Sequence, residues 1–422
     1  MAENKNESLA AWMAAHQMSV PELAGAVNEA IGAFTGRMGA TSERTVFRWL
    51  SGENQWPQER QRRGLESVTG LTVTTLGFTP RGKTSLIPEQ QEDSGVLRRR
   101  ILGAAVALPL SSSSSSARPS RVGTCDVIRL RDDVERLVAL DAEHGGHGLE
   151  QAALAGAAEA LRLQKGSATL RVRQRLYALA ADYTSTAAWA LIDSGRLDGA
   201  DHRLDRALAL AGLAQDAEIV LKVWNLRAML ARQRRDYPEA IAAGRAAQAA
   251  TAARRSPLHA SLAHARTAIG LAHDGQFRAA VRHLGRAEDA LAKADPARPR
   301  SSWIAFYGPA ELHSLTAIVR DVVGHPALAE AAAHRALAAL PAAYRRNRAH
   351  TTLRLALAQL HQGDAEQACV TSGKVFTIMG STPLPGRIRL LLGDFQRDLI
   401  AHAPAALADA WTDRHRNEWS RS

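Results

Sequence analysis

Arg44 and Arg48 stand one helical turn apart within Ser42 to Pro57, SERTVFRWLSGENQWP. A guanidinium is a planar fork of donors that keeps its charge at any ordinary pH, so two of them on a short helix suit phosphates or base edges. With Ser42 as N-cap, Val46, Trp49 and Leu50 fall at i, i+3 and i+4 on one face. Arg44, Thr45 and Arg48 fall elsewhere, near the N-terminal half. Gly52 supplies the stop, and Trp56-Pro57 opens the next helix with Pro near its first turn. One face can hold a core while the other presents donors, the two tasks a DNA-reading helix must perform together.

No other stretch carries a comparable chemical signature. There is no G-x-x-x-x-G-K-[ST], no G-x-S-x-G and no HExxH, so no enzyme activity, catalytic residue or cofactor is expected. His144-Gly-Gly-His147 is the nearest approach to a metal pair, but no third ligand supports it and no metal is expected. The remaining histidines are read as exposed. Cys125 and Cys369 form no CxxC pair, the usage of a reducing cytoplasm.

The elements that would position Arg44 and Arg48 are helical. Residues 6–16 place Leu9, Trp12 and Met13 at helical spacing, and Ser19 with Glu22 forms a capping-box start to a second helix bearing Leu23, Val27, Ile31 and Phe34. The run TGRMGAT then intervenes before Ser42, longer than the three or four residues of a standard helix-turn-helix turn. A fourth helix over Gln58 to Thr69 turns Leu65 and Val68 inward, and Val73 to Phe78 closes a five-helix domain of residues 1–80. Trp12, Phe34 and Trp49 are read as core.

The run TVxRWxSG followed by a Pro-initiated helix is similar to the DNA-binding domain of XRE-type, Cro- and phage-repressor-like bacterial regulators. That resemblance implies base contacts from Glu43, Arg44 and Arg48, and phosphate contacts from Thr45 and from Arg60, Arg62 and Arg63. It also implies double-stranded DNA as partner and a homodimer on two half-sites.

Charge adds little to this. The net +11 is carried almost wholly by Arg, since Lys occurs at positions 5, 83, 165, 222, 293 and 374 alone. Residues 1–80 hold seven Lys plus Arg against eight Asp plus Glu, so positive charge there is a local patch.

Residues 81–124 read as a flexible Ser/Arg-rich linker with six serines from Ser111 to Ser116. Within it Arg98-Arg99-Arg100 and Ile101 to Leu110 resemble a twin-arginine export signal. The run lies a hundred residues into the chain with ten apolar residues, so it is read as a docking segment, a membrane-surface contact or a vestige. No membrane span and a cytoplasmic, nucleoid-associated location are expected.

From residue 125 to 416 the sequence is Ala-rich and repeats. The motifs GRLDGA, RDYPEA, GQFRAA, GHPALA and GDAEQA end at Ala200, Ala240, Ala280, Ala329 and Ala368, at spacings of 40, 40, 49 and 39. Twelve residues before each stands Ala188, Ala228, Ala268, Ala317 or Ala356; seven after stands Ala207, Ala247, Ala287, Ala336 or Val375. Small residues at fixed positions of successive helices are what close helix crossings need.

This pattern is similar to the tetratricopeptide repeat, in longer units. Residues 125–165 fit a divergent first helix pair and Pro383 to Arg416 fit capping helices. The whole chain is therefore expected to be all-α: a five-helix repressor-like domain followed by a tetratricopeptide-like α-solenoid. The resemblance implies a concave groove for a peptide or protein ligand, lined by Asp182, Trp189, Lys222, Asn225, Met229, Glu311 and His350. Arg232 lies beyond, and Lys222, Asn225 and Arg232 are placed to clamp a backbone and a carboxylate. The expected function is a transcriptional regulator whose repeat domain dimerises and senses a peptide, protein or small-molecule effector. The alternative is a helical-repeat interaction scaffold with little or no sequence-specific DNA binding.

Overall fold

The computed structural model describes residues 6–35, 37–79, 122–144, 148–380 and 382–419, and its regular elements are all helical. Residues 81–121 of the Ser/Arg-rich stretch, with the twin-arginine-like run Arg98 to Leu110, lie outside the described residues, as do Gly145, Gly146 and His147. The chain divides into two compact units that meet in sequence at Cys125 and Asp126.

The first unit contains α1 (Glu7–Ala15), α2 (Val20–Thr35), α3 (Glu43–Leu50) and α4 (Glu59–Thr69). Asn6 caps α1 by accepting from Leu9 N at 3.0 Å, and its own N–H donates to the Leu50 carbonyl at 2.9 Å, tying α1 to the end of α3. Ser19 N and Oγ both donate to Glu22 Oε2, the expected box at the start of α2. The long connection to α3 is held by Asn28: its Nδ2 donates to the Thr41 carbonyl at 2.8 Å, and its Oδ1 accepts from Thr41 N at 2.6 Å. One amide on α2 thus fixes where α3 begins. Ser42 then caps α3 by accepting from Thr45 N, and Gly52, with φ 73, turns the chain away.

Two expectations change here. Val73 to Gly77 is a run of turns, so the described first unit has four helices instead of five. Phe34 is not core but 37% exposed, with the Arg63 guanidinium over its ring at 4.7 Å. Trp49 and Val46 are fully buried, Trp49 against the edge of Phe78, while Leu50 is half-buried.

The second unit holds most of α5 (Thr124–His144), then α6 (Leu149–Leu163), and goes on in consecutive helix pairs: α7 (Leu170–Ser194) with α8 (Asp198–Ala214), and α9 (Ala217–Gln233) with α10 (Tyr237–Ala249). After the short α11 (Thr251–Arg255) come α12 (Pro257–His273) with α13 (Phe277–Ala292), α14 (Pro309–Val322) with α15 (Pro326–Ala339), and α16 (Arg345–His361) with α17 (Ala365–Met379). The last pair is α18 (Gly386–His402) and α19 (Ala405–Trp419). The five sequence motifs occupy the turns inside the pairs. Their first residues, Gly195, Arg235, Gly275, Gly324 and Gly363, all have left-handed φ between 61 and 89, which makes glycine the favoured residue and Arg235 the strained exception. The alanines of all three columns, and Val375, are buried at the helix crossings.

The first helices of the pairs, α7, α9, α12, α14 and α16, pack each on the next, α18 packs on α16, and α18 returns to α7. That return depends on Gly386. A Cβ there would lie 2.1 Å from the Ser194 carbonyl oxygen, a distance no side chain tolerates. The inner helices therefore close into a ring, and the concave face implied by the sequence lies within it, partly open to solvent. The spacing of 49 between Ala280 and Ala329 is the loop 293–308, whose Ile304 and Tyr307 are fully buried, with Tyr307 Oη bonded to Ser261 Oγ at 2.8 Å.

Candidate functional site

On α3 the buried Val46 and Trp49 leave Glu43, Arg44, Phe47 and Arg48 exposed, with Thr45 half-buried beside its Ser42 cap. Arg48 Nε pairs with Glu53 at 3.0 Å, and both side chains remain more than half or half open to solvent. Such a pair is weak and gives way readily to a stronger acceptor. Phe47, 57% exposed between the two arginines, went unnoticed in the sequence because it breaks no periodicity. On α4 the three arginines divide. Arg60 is exposed, whereas Arg62 lies over Trp56 at 4.9 Å with NH1 donating to the Pro57 carbonyl, and Arg63 covers Phe34. Arg62 and Arg63 already serve local structure.

The second unit holds a partly open cavity of about 350 Å³ walled by α5, α7, α9, α12, α14, α16, α18 and the loop 293–308. Of the residues expected to line a groove, Trp189, Lys222, Asn225, Met229 and Glu311 meet on this cavity. Asp182 stands behind Lys222, which donates to its Oδ1 at 2.6 Å and to Thr186 Oγ1 at 3.0 Å. Asn225 Oδ1 accepts from Arg266 Nε at 2.8 Å. Lys222, and Asn225 through its oxygen, are therefore engaged within the protein. Arg232 lines a small alcove of about 20 Å³, with Arg266, Arg387, Ser314 and His350. Arg266, Glu311, Asn347 and Arg387 border both spaces, so the alcove adjoins the cavity.

Charge inside the ring is arranged in two layers. Arg346 bridges Asp141, at 2.6 and 3.1 Å, and Asp193, at 2.9 Å, joining α16 to α5 and α7. Burial opposes its charge, but Asp193 and Asp141 hold the guanidinium well above its ordinary pKa. Trp189 Nε1 donates to the same Asp141 at 3.0 Å, and the Arg346 and Arg387 guanidiniums lie 5.4 and 5.1 Å from its ring centre. Arg387 Nε stands 3.2 Å from Asp193 Oδ1 as an ion pair without an aligned hydrogen bond.

The second layer is under-compensated. Arg232, Arg266 and Arg354 form no ion pair among the described residues, although Glu311 lies near enough to Arg266, and Asp321 and Asp394 near enough to Arg354, to favour their charges. Burial, with repulsion from Arg354, Arg266 and Arg387, pushes Arg232 down to about 9. Burial likewise lowers Arg266, Arg354 and Arg387. His350, expected on the groove, is buried in this field and pushed well below its ordinary range, so it is neutral. With His415 it contradicts the expectation of exposed histidines.

The loop 293–308 supplies the rest of the wall. Trp303 and Phe306 face the cavity, and Trp303 Nε1 donates to Glu218 Oε1 at 3.1 Å, beside a hydrogen bond from Ser301 and with His259 Nε2 at 3.5 Å. Burial would raise the Glu218 pKa, but these partners bring it below the usual carboxylate range. Sequence reasoning missed Arg266, Arg346, Arg387, Trp303 and Phe306. Two signals were available: Arg346, His350 and Arg354 recur every fourth residue on one helix, and the extra residues between Ala280 and Ala329 mark the loop.

No group of His, Cys, Asp or Glu suited to a metal occurs among the described residues, and none of their helices is long and apolar enough to cross a membrane. The sequence matches no family model, no curated protein and no solved structure.

Proposed function

We propose that the chain is a sequence-specific DNA-binding transcriptional regulator of the XRE type, whose tetratricopeptide-like unit dimerises and receives an effector. The observation that carries this reading is the division of α3: Val46 and Trp49 are wholly buried while Glu43, Arg44, Phe47 and Arg48 are free to meet a groove. Arg44 and Arg48 are suited to guanine, Glu43 to cytosine and Phe47 to a thymine methyl, each good bidentate pair being worth about 1–3 kcal/mol of discrimination. Three such contacts give about 3–9 kcal/mol, against the roughly 4–10 kcal/mol that separates specific from non-specific binding, so a second copy on a second half-site is expected to secure the difference. An effector in the second unit acts through its differential affinity for two arrangements of the dimer.

Selection of bound fragments from genomic DNA tests the reading. A common site is expected, and Arg44→Ala and Arg48→Ala proteins are expected to stay folded while losing preference for it. Fragments without a common motif, or unchanged footprints in both variants, return the chain to the reading of an interaction scaffold.

A further inference from the structure

The alcove and the cavity differ in chemistry, and together they describe a ligand. Arg232, Arg266 and Arg387 converge on the alcove from α9, α12 and α18. Arg266 is 7% exposed and spends one donor, its Nε, on Asn225; Arg232 forms no hydrogen bond or ion pair among the described residues. Arg232 and Arg387 are half-buried, Glu311 also lines the alcove and Arg387 faces Asp193, so three guanidiniums meet with few counter-charges, an arrangement that an added anion relieves. Next to them the cavity wall is apolar and aromatic: Trp189, Met229, Trp303 and Phe306. A space of about 350 Å³ suits a small molecule.

We propose that this cavity binds a small organic anion, with its acidic headgroup held by Arg232, Arg266 and Arg387 and its apolar body against Trp189, Met229, Trp303 and Phe306. The headgroup is a carboxylate, phosphate or sulfonate, all of which present several acceptors to a guanidinium fork. The inference rests on reading the second unit as an effector domain, and it does not depend on DNA recognition.

Two fluorescent probes of nearly the same shape test it on the full chain: anilinonaphthalenesulfonate, and phenylnaphthylamine, which carries the same rings without the sulfonate. The sulfonate is expected to bind at one per chain, at least about tenfold tighter than the neutral probe. Inorganic phosphate is expected to displace the sulfonate and leave the neutral probe in place. Arg232→Gln and Arg266→Gln are each expected to weaken the sulfonate by about tenfold or more, with the neutral probe unchanged. Equal binding of the two probes, failure of the sulfonate to bind, or indifference to phosphate overturns the proposal, and each can be read on the unaltered protein should a variant not fold. Genomic fragment selection with no probe present reads DNA recognition separately, so failure of the cavity and failure of the regulator reading are distinguishable.

Discussion

The same residue type stands in two opposite situations in this molecule. In the first unit Arg44, Arg48 and Arg60 are exposed, and Arg48 meets a Glu53 that is itself open to solvent. In the second unit Arg346 is buried and holds three elements together, while Arg232 and Arg266 are crowded into an alcove with few partners. An exposed arginine keeps its hydration and can be exchanged with little change in stability. A buried one has lost its hydration, so its neighbours determine whether it braces the structure or awaits an anion. Location alone therefore separates arginines left open to solvent from arginines that brace the ring or crowd its alcove.

The largest expected effect tests the bracing role. Arg346→Ala leaves Asp141 and Asp193 buried without their main counter-charge and is expected to cost about 3–5 kcal/mol, measured as a lower denaturant midpoint of the second unit. Arg44→Ala in parallel is expected to shift stability by less than about 0.5 kcal/mol. Equal effects would erase the distinction. Next comes ring closure itself. Gly386→Ala drives a methyl into the Ser194 carbonyl and is expected to cost about 1–3 kcal/mol, with faster proteolysis between α17 and α18. If the variant is as stable and resistant as the parent, α18 does not need that approach to close on α7.

How much of this the sequence revealed depended on whether the signal was local. The Ser42 cap, the buried Val46 and Trp49 and the alanine columns are written in short-range spacing, and all are found at those positions. The left-handed turns were likewise marked by glycine at four of five sites. Ring closure was invisible because α7 and α18 lie two hundred residues apart and meet through two glycines with no periodic pattern. Arg387, assigned to a capping helix, became part of the alcove for that reason. The internal partners of Lys222 and Asn225 were not legible because Asp182 and Arg266 sit on neighbouring helices about forty residues away, where single-helix patterns carry no information.

A smaller effect separates the histidines of the second unit by the sign of their pH dependence. Burial holds His273 down to about 3 and His350 well below its ordinary value, so unfolding takes up protons; the stability they permit is complete above about 6.5 and lost as the pH falls. His361 is the reverse. Its Nδ1 meets Asp321 at 2.7 Å and its Nε2 faces Asp398 at 3.4 Å, linking α14, α16 and α18. These partners raise its pKa from 6.5 to about 10, so its contribution is complete below 6.5 and disappears as the pH rises through about 10. The side chain is 32% exposed, which weakens the pair through solvent screening. Denaturation of the second unit from pH 4 to pH 10 (roughly the span of these shifts) is expected to show both limbs. His361→Ala is expected to flatten the alkaline limb alone, and an unchanged alkaline limb would remove His361 from the account.

The finest division lies within α4, between arginines that look interchangeable in sequence. Arg63 covers the half-open ring of Phe34, and Arg63→Ala is expected to cost about 0.5–1 kcal/mol by removing a cation–π contact and uncovering an aromatic face. Arg60 has no such task. If the first unit docks on DNA through α3 and α4, Arg60→Ala leaves stability unchanged and weakens binding to all sequences alike. The slope of log K against log salt then falls in magnitude by about 1, the signature of one lost phosphate contact. Salt titrations of the two variants against one duplex decide the matter: a slope that changes for Arg63 and not for Arg60 would mean that the exposed arginine faces away from the backbone, and that the surface presented to DNA is turned toward Phe34.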